Sequence, residues 1–278
     1  MIASFLLSLR EGLEAALIIG IILGVLLKLN RPEMKKSVWR GVWLAVALSL
    51  AAAITLNLLG LKFEGRAEEL FEGVVMLLAA GVLTWMILWM HNTAGNLKQE
   101  IEYKTRDAAR GSGGKALFAL AFLAVFREGI ELALFLLAVQ QTSTPVAVLS
   151  GALLGLAAAI VLGWLLFTST KKLSLRGFFR VTNVLLIIFA AGLVAYGVHE
   201  FNEAGIIPAL IDPLWDINPV LSDKSEVGLL LKALFGYNGN PTLSEVLAYF
   251  TYLIGISIYS LSHRPAVHST QPVSQPAQ

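Results

Sequence analysis

"LREGLEAALII" at residues 9–19 and "FREGIELALFL" at residues 126–136 each set one arginine and two glutamates inside an apolar run. Such runs exceed the ~20 residues that cross the ~30 Å hydrocarbon core of a bilayer as a helix. Hydrophobic residues fill 56% of the 278 positions and charged residues 14%, whereas a soluble domain carries roughly a quarter charged residues. The chain reads as an all-α integral membrane protein. Ionisable groups inside a membrane are expensive to keep there, so the six in these motifs read as functional.

Seven spans are expected, near 2–28, 38–60, 70–91, 115–140, 145–168, 180–201 and 244–262. The first is expected to stay in place rather than act as a cleavable signal, because it lacks a basic start and carries charges where a signal must be apolar. The connections at 28–40, 98–115 and 171–180 are rich in Lys and Arg, and that at 199–245 is acid-rich. By the positive-inside rule this places the N-terminus outside and the C-terminus in the cytoplasm. The domain then covers 1–262, with an outer loop at 202–243, and the polar, Pro-rich stretch 263–278 reads as a disordered cytoplasmic tail.

The two motifs lie 117 residues apart, each in the first span of a group of three. An odd number of spans per copy makes the copies enter the membrane from opposite sides. Repeat A (about 2–91) and repeat B (about 115–201) therefore predict an inverted 3+3 repeat with a seventh, unpaired helix, and such repeats hold substrate near the midplane at their interface. "LAAGVLTW" (78–85) and "FAAGLVAY" (189–196) add a weaker internal match.

At 100° per residue, Arg10, Glu14 and Glu11 share one helix face, as do Arg127, Glu131 and Glu128. Each cluster holds two carboxylates and one guanidinium. One acid pairs with its arginine at i, i+4 and the other is left over. A single motif reads as well as an ion pair locking two helices. Two of them, facing each other with four acids against two arginines, leave a surplus that protons or a cation must neutralise. Carboxylate oxygens suit hard cations. Gly20/Gly24 and Gly151/Gly155 have the small-xxx-small spacing of close helix packing, and are preferred to Gly12 and Gly129 for that role.

With its doubled R-E-x-x-E in spans 1 and 4 of seven, the chain resembles the oxidase-dependent iron transporter family over roughly 1–262. Further matching stretches are "LFEGVVMLLAAGVLTWMILWM" (70–90), "HEFNEAG" (199–205) and "LFGYNGNPTLSEV" (234–246). The resemblance implies iron uptake across the cell inner (plasma) membrane, with iron as transported substrate and no cofactor. It also implies Fe(III) supplied by a separate extracytoplasmic ferroxidase or peroxidase, with an iron-delivery protein. The same likeness makes Arg10, Glu11, Glu14, Arg127, Glu128 and Glu131 the transport residues. Nothing in composition or spacing singles out iron, so a carrier for another hard cation such as Mn(II), or for protons, stays open. A membrane redox subunit fares badly, because the chain has no cysteine, no H-E-x-x-H and no paired intramembrane histidines.

Secondary positions complete the expected path. Glu72 is either a first-turn acid favoured by the helix dipole or an outer relay ligand. His199, Glu200 and Glu203 form H-E-x-x-E, which lacks the second histidine of a zinc protease. They read as an interfacial cap, with His199 snorkelling, or as a collection point for metal. Asp223 and Glu226 lie among outer-loop acids that can raise local cation concentration. Lys232 stands where the resemblance implies an acid. His91 suits a helix C-terminus, and His263 and His268 carry no role.

Overall fold

The computed structural model describes residues 1–60, 63–93, 97–111, 114–168, 175–223 and 225–262. Among these are nine α-helices and no strand: α1 (Ile2–Lys28), α2 (Lys35–Gly60), α3 (Arg66–Thr93), α4 (Leu97–Arg110), α5 (Gly114–Gln140), α6 (Pro145–Thr168), α7 (Leu175–Glu203), α8 (Glu226–Phe235) and α9 (Leu243–Ser262). A helix satisfies its backbone hydrogen bonds internally, which is what an apolar solvent demands. By length and composition α2, α3, α6, α7 and α9 are fit to cross a membrane. Helices α1 and α5 are each 27 residues long, and the charges of their motifs, not their length, set them apart from those five. The tail 263–278, with His263 and His268, lies outside the described residues, as do Lys224 and the side chains of His91 and Glu226.

The long helices pair in a pattern that returns itself when the first three are exchanged with the second three. The most extensive contacts are α2 with α5, α1 with α6 and α3 with α7. The correspondence reaches single residues. A side chain at Gly12 would meet Ala159 of α6, and one at Gly129, 117 positions on, would meet Ser49 of α2. The backbone of Met1 lies against Gly151 and that of Phe118, again 117 on, against Gly41. Ser49 and Ala159 are 110 positions apart, and so are Gly41 and Gly151.

Helices α1 and α5 run antiparallel through the centre. One apolar cluster joins Ala3 and Leu7 of α1 to Phe135 and Leu137 of α5, with Met76, Leu83 and Met86 of α3 and Leu193 and Tyr196 of α7. A second joins Ile19, Ile22 and Leu26 to Leu117, Ala121 and Val125 at the opposite end. The motifs lie between the two clusters.

Two helices fall where sequence suggested only connections. In α4 the buried Ile101, Thr105 and Ala109 recur every four residues, so a segment legible as a basic loop lays an apolar stripe on the second cluster. In α8, Ser225 caps the start by accepting a hydrogen bond from the Gly228 N–H, and Gly236 ends the helix in the left-handed conformation (φ 68°). Gly236 lies so close to Gly192 of α7 that neither position has room for a Cβ. One packing expectation is corrected. Gly24 has nothing within 4 Å of where its Cβ would be, while Gly12 and Gly129 are themselves close contacts, as are Gly151 and Gly155. Spacing alone could not say which helix face has a neighbour.

Candidate metal site

Glu11 lies nine positions from the start of α1, and Glu131 nine from the end of α5. At 1.5 Å per residue both are about 14 Å from the same end of the antiparallel pair. Glu14 and Glu128, each twelve positions in, form a second level about 4–5 Å further on. The expected meeting of the two acidic faces is what the fold produces. One oxygen each from Glu11, Glu128 and Glu131 come within 4.8 Å of one another, and all three residues are buried. Electrostatic interaction links the four carboxylates across the helices.

The arginines are placed differently. Arg10 is fully buried and its Nη1 donates to Glu11 Oε1 at 3.2 Å. Its Nη2 lies 3.2 Å from Glu14 Oε1, and Nη1 also contacts the Met86 sulfur at 3.0 Å. One guanidinium thus holds both acids of its copy, where sequence suggested one. Arg127 is 35% exposed and donates through Nε to Glu131 Oε1 at 2.8 Å. Its guanidinium stacks on Trp89 and Trp85, at 4.8 and 5.2 Å from the ring centroids. Glu128 is the acid left over.

Oε2 of Glu11, Glu128 and Glu131 is buried and meets no hydrogen-bond donor among the described residues. A buried polar atom without a partner costs roughly 1–3 kcal/mol, more when charged. All three belong to the acids that come together from two helices, so the meeting point is rich in buried oxygens that can accept.

At the end of the bundle where α1 starts, a cavity of about 670 Å³ is lined by His199, Glu200, Glu203, Asp223, Lys232, Asn238 and Asn240, among others. Of the secondary positions, it gathers His199, Glu200, Glu203 and Asp223. Glu72 is half-buried on α3 and interacts electrostatically with Glu200 and Glu203. Lys232 reaches over the Tyr196 ring at 4.8 Å, so the cationic residue in place of an expected acid is a wall of the same cavity. Met76, Leu83, Met86, Leu7 and Phe135, all at or near zero exposure, pack in the first cluster. Met76 lines the cavity and Met86 touches Arg10, so the cluster separates cavity from motifs.

His199 is not a snorkelling residue. Its Nδ1 is 2.9 Å from Glu245 Oε1, and its Nε2 is 3.4 Å from Glu203 Oε1. Glu245 escaped sequence reading, although its signal was present: Thr242-Leu243-Ser244-Glu245 spells a capping box. The Thr242 N–H donates to Glu245 Oε1 at 3.2 Å, and the Glu245 N–H donates to Thr242 Oγ1 at 3.3 Å. Trp85, Trp89 and Met86 were also missed, as members of an apolar run with nothing to distinguish them.

Residues 1–263 match the family model described as Iron permease FTR1 family. Proteins named ferrous iron permease EfeU from Shigella sonnei (strain Ss046) and Escherichia coli (strain UTI89 / UPEC) are each 41% identical over 256 residues, covering 91% of this chain and 93% of theirs. The protein of that name from Yersinia pestis is 39% identical over 256 residues, 91% of each chain. No solved structure matches.

Proposed function

The chain belongs to the FTR1 family of iron permeases, and from that premise we propose that it carries iron across the membrane through the carboxylates shared by α1 and α5. The observation that carries this reading is the convergence of Glu11, Glu128 and Glu131 oxygens within 4.8 Å, the Oε2 of each acid being buried without a donor among the described residues. It is a transporter, not an enzyme.

Seven spans make the permease, α1–α3 and α5–α7 as inverted copies and α9 as the seventh. The exchange symmetry of the helix contacts supports the repeat. Lys28, Arg31, Lys35, Lys104, Arg106 and Lys115 gather around the end where α1 finishes and α5 begins, which supports that end as cytoplasmic. The cavity then opens outside the inner membrane. Iron collects there, aided by Glu72, Glu200, Glu203 and Asp223, and reaches the Glu11–Glu131 level. It drops to the Glu14–Glu128 level and leaves on the cytoplasmic side as one copy rocks against the other. Arg10 and Arg127 hold the acids in place and temper their repulsion while the site is empty.

Four carboxylates against two arginines suit a highly charged, oxygen-loving ion. Fe(III), delivered by a separate extracytoplasmic oxidase, is the reading this favours. A second reading, Fe(II) throughout, draws on the name ferrous iron permease borne by the relatives. Radioactive iron uptake into proteoliposomes tests both. Glu14→Gln and Glu131→Gln are each expected to drop uptake to background with normal membrane insertion, and uptake retained in either removes the assignment. Supplying iron under reductant or as a ferric chelate, with Mn(II) as competitor, separates the oxidation states.

A further inference from the structure

The two arginines are tied to the carboxylates in ways that differ in kind. Arg10 has no exposed surface, spans Glu11 and Glu14 at 3.2 Å each and is backed by the Met86 sulfur. Moving it would strand two buried acids. Arg127 is a third exposed and reaches a single acid, Glu131, through Nε at 2.8 Å. Its guanidinium also stacks on Trp89 and Trp85. A planar guanidinium keeps such a stack whether or not its edge holds a carboxylate. Arg127 therefore has a second resting place within its own reach. Trp85 is exposed and Trp89 half-buried. Met76 lines the outer cavity and Met86 meets Arg10, so Trp89, further along α3, extends this platform away from the cavity.

Charge balance gives the second place a use. The four carboxylates and two arginines of the motifs leave two negative charges over when all are ionised. A divalent ion cancels that surplus with both arginines in place. A trivalent ion is cancelled by the four acids and Arg10 alone, and the charge of Arg127 is then in excess. An uncancelled charge in a buried site is costly. Arg127 interacts electrostatically with Glu131, Glu128 and Glu14, so it competes with any cation those acids bind.

We infer that Arg127 is a displaceable counter-cation. Trivalent iron entering the carboxylates drives its guanidinium off Glu131 and along the tryptophan platform, and its return helps to expel the ion. Arg10 stays in place as the fixed charge, and Trp85 and Trp89 are positioning residues for the displaced guanidinium. The inference rests on the reading of the α1 and α5 carboxylates as the path of ferric iron, and it adds how that path is emptied.

The probe is Ga(III), a redox-inert trivalent ion, supplied as its citrate chelate to the purified full-length protein with bound metal measured by mass spectrometry. Arg127→Gln should bind Ga(III) several-fold more tightly than the wild type and release it more slowly, because no charge has to be moved aside. A residue that merely holds Glu131 in place gives the opposite sign, weaker binding on its removal. Tryptophan emission supplies a second readout, in the wild type itself. The difference between the protein and its Trp85→Phe/Trp89→Phe variant isolates these two of the six tryptophans. That difference should change as Ga(III) binds and stay constant in the Arg127→Gln background. Unchanged or weaker binding in Arg127→Gln, or no emission change in saturated wild type, overturns the counter-cation role while leaving the carboxylate site standing. An emission change of the same size without Arg127 does so too. Failure of the wild type to bind Ga(III) removes the carboxylate site, and this role with it.

Discussion

The two copies of Arg-Glu-Gly-x-Glu share four of five residues and stand at matching depth, yet they are environments of different kinds. In the α1 copy the arginine is completely buried and grips both acids. In the α5 copy the arginine is a third exposed, grips one acid and leans on two tryptophans. The local spacing sets which groups share a helix face. The neighbour on the far side, Met86 for one guanidinium and Trp85 with Trp89 for the other, sets how much each charge depends on its partners. The two copies are thereby unequal where they meet, with Glu128 as the acid its arginine does not hold.

That inequality can be broken most sharply at the arginines. Arg10→Met strands two acids in the buried copy, and breaking a buried pair costs about 3–5 kcal/mol. The same change at Arg127 strands one held acid rather than two and removes a guanidinium already a third exposed, so its cost should be smaller. Thermal unfolding in detergent should therefore fall steeply for the first and modestly for the second. Equal losses would mean that the two environments are energetically alike.

The glycines sharpen the comparison from the packing side. An added methyl at Gly12 would stand 2.7 Å from the Ala159 Cβ, and one at Gly129 would collide with Ser49. Overpacking of this kind costs about 1–3 kcal/mol, so Gly12→Ala and Gly129→Ala should both lower the unfolding midpoint. Ser49→Gly should rescue the second and leave the first unchanged. Gly24→Ala has open space and should raise the midpoint slightly, since alanine favours a helix over glycine by up to about 1 kcal/mol. The smallest effect is expected for Trp89→Leu, which removes a cation–π contact worth about 0.5–1 kcal/mol near a solvated charge. It should leave Arg10-dependent behaviour untouched, with unfolding midpoints of the single and double variants as the readout.

The meeting of the acidic faces is largely legible in the sequence. Charges in an apolar run have few reasons to be there, and helical periodicity alone puts Arg10, Glu11 and Glu14 on one face. Doubling of the motif three spans apart led directly to antiparallel copies. Legibility failed where a residue's meaning lay in a neighbour distant in the chain. Gly24 had the right spacing and no helix beside it. His199 looked like a residue reaching for water until Glu245, 46 positions on, turned out to be its partner. Helices α4 and α8 hid in segments whose charge dominated their weaker apolar stripes.

By itself, then, the sequence determined that the chain lives among apolar surroundings, that two acidic faces recur in it, and which side chains belong to each. These follow from local rules: the solvent a segment needs and the angle between successive residues. Tertiary structure decided that the faces meet at one depth, that one arginine is sealed in while the other touches tryptophan, and that a capping glutamate backs a histidine. Those outcomes depend on which helix packs against which, a choice made by the shapes of surfaces far apart along the chain.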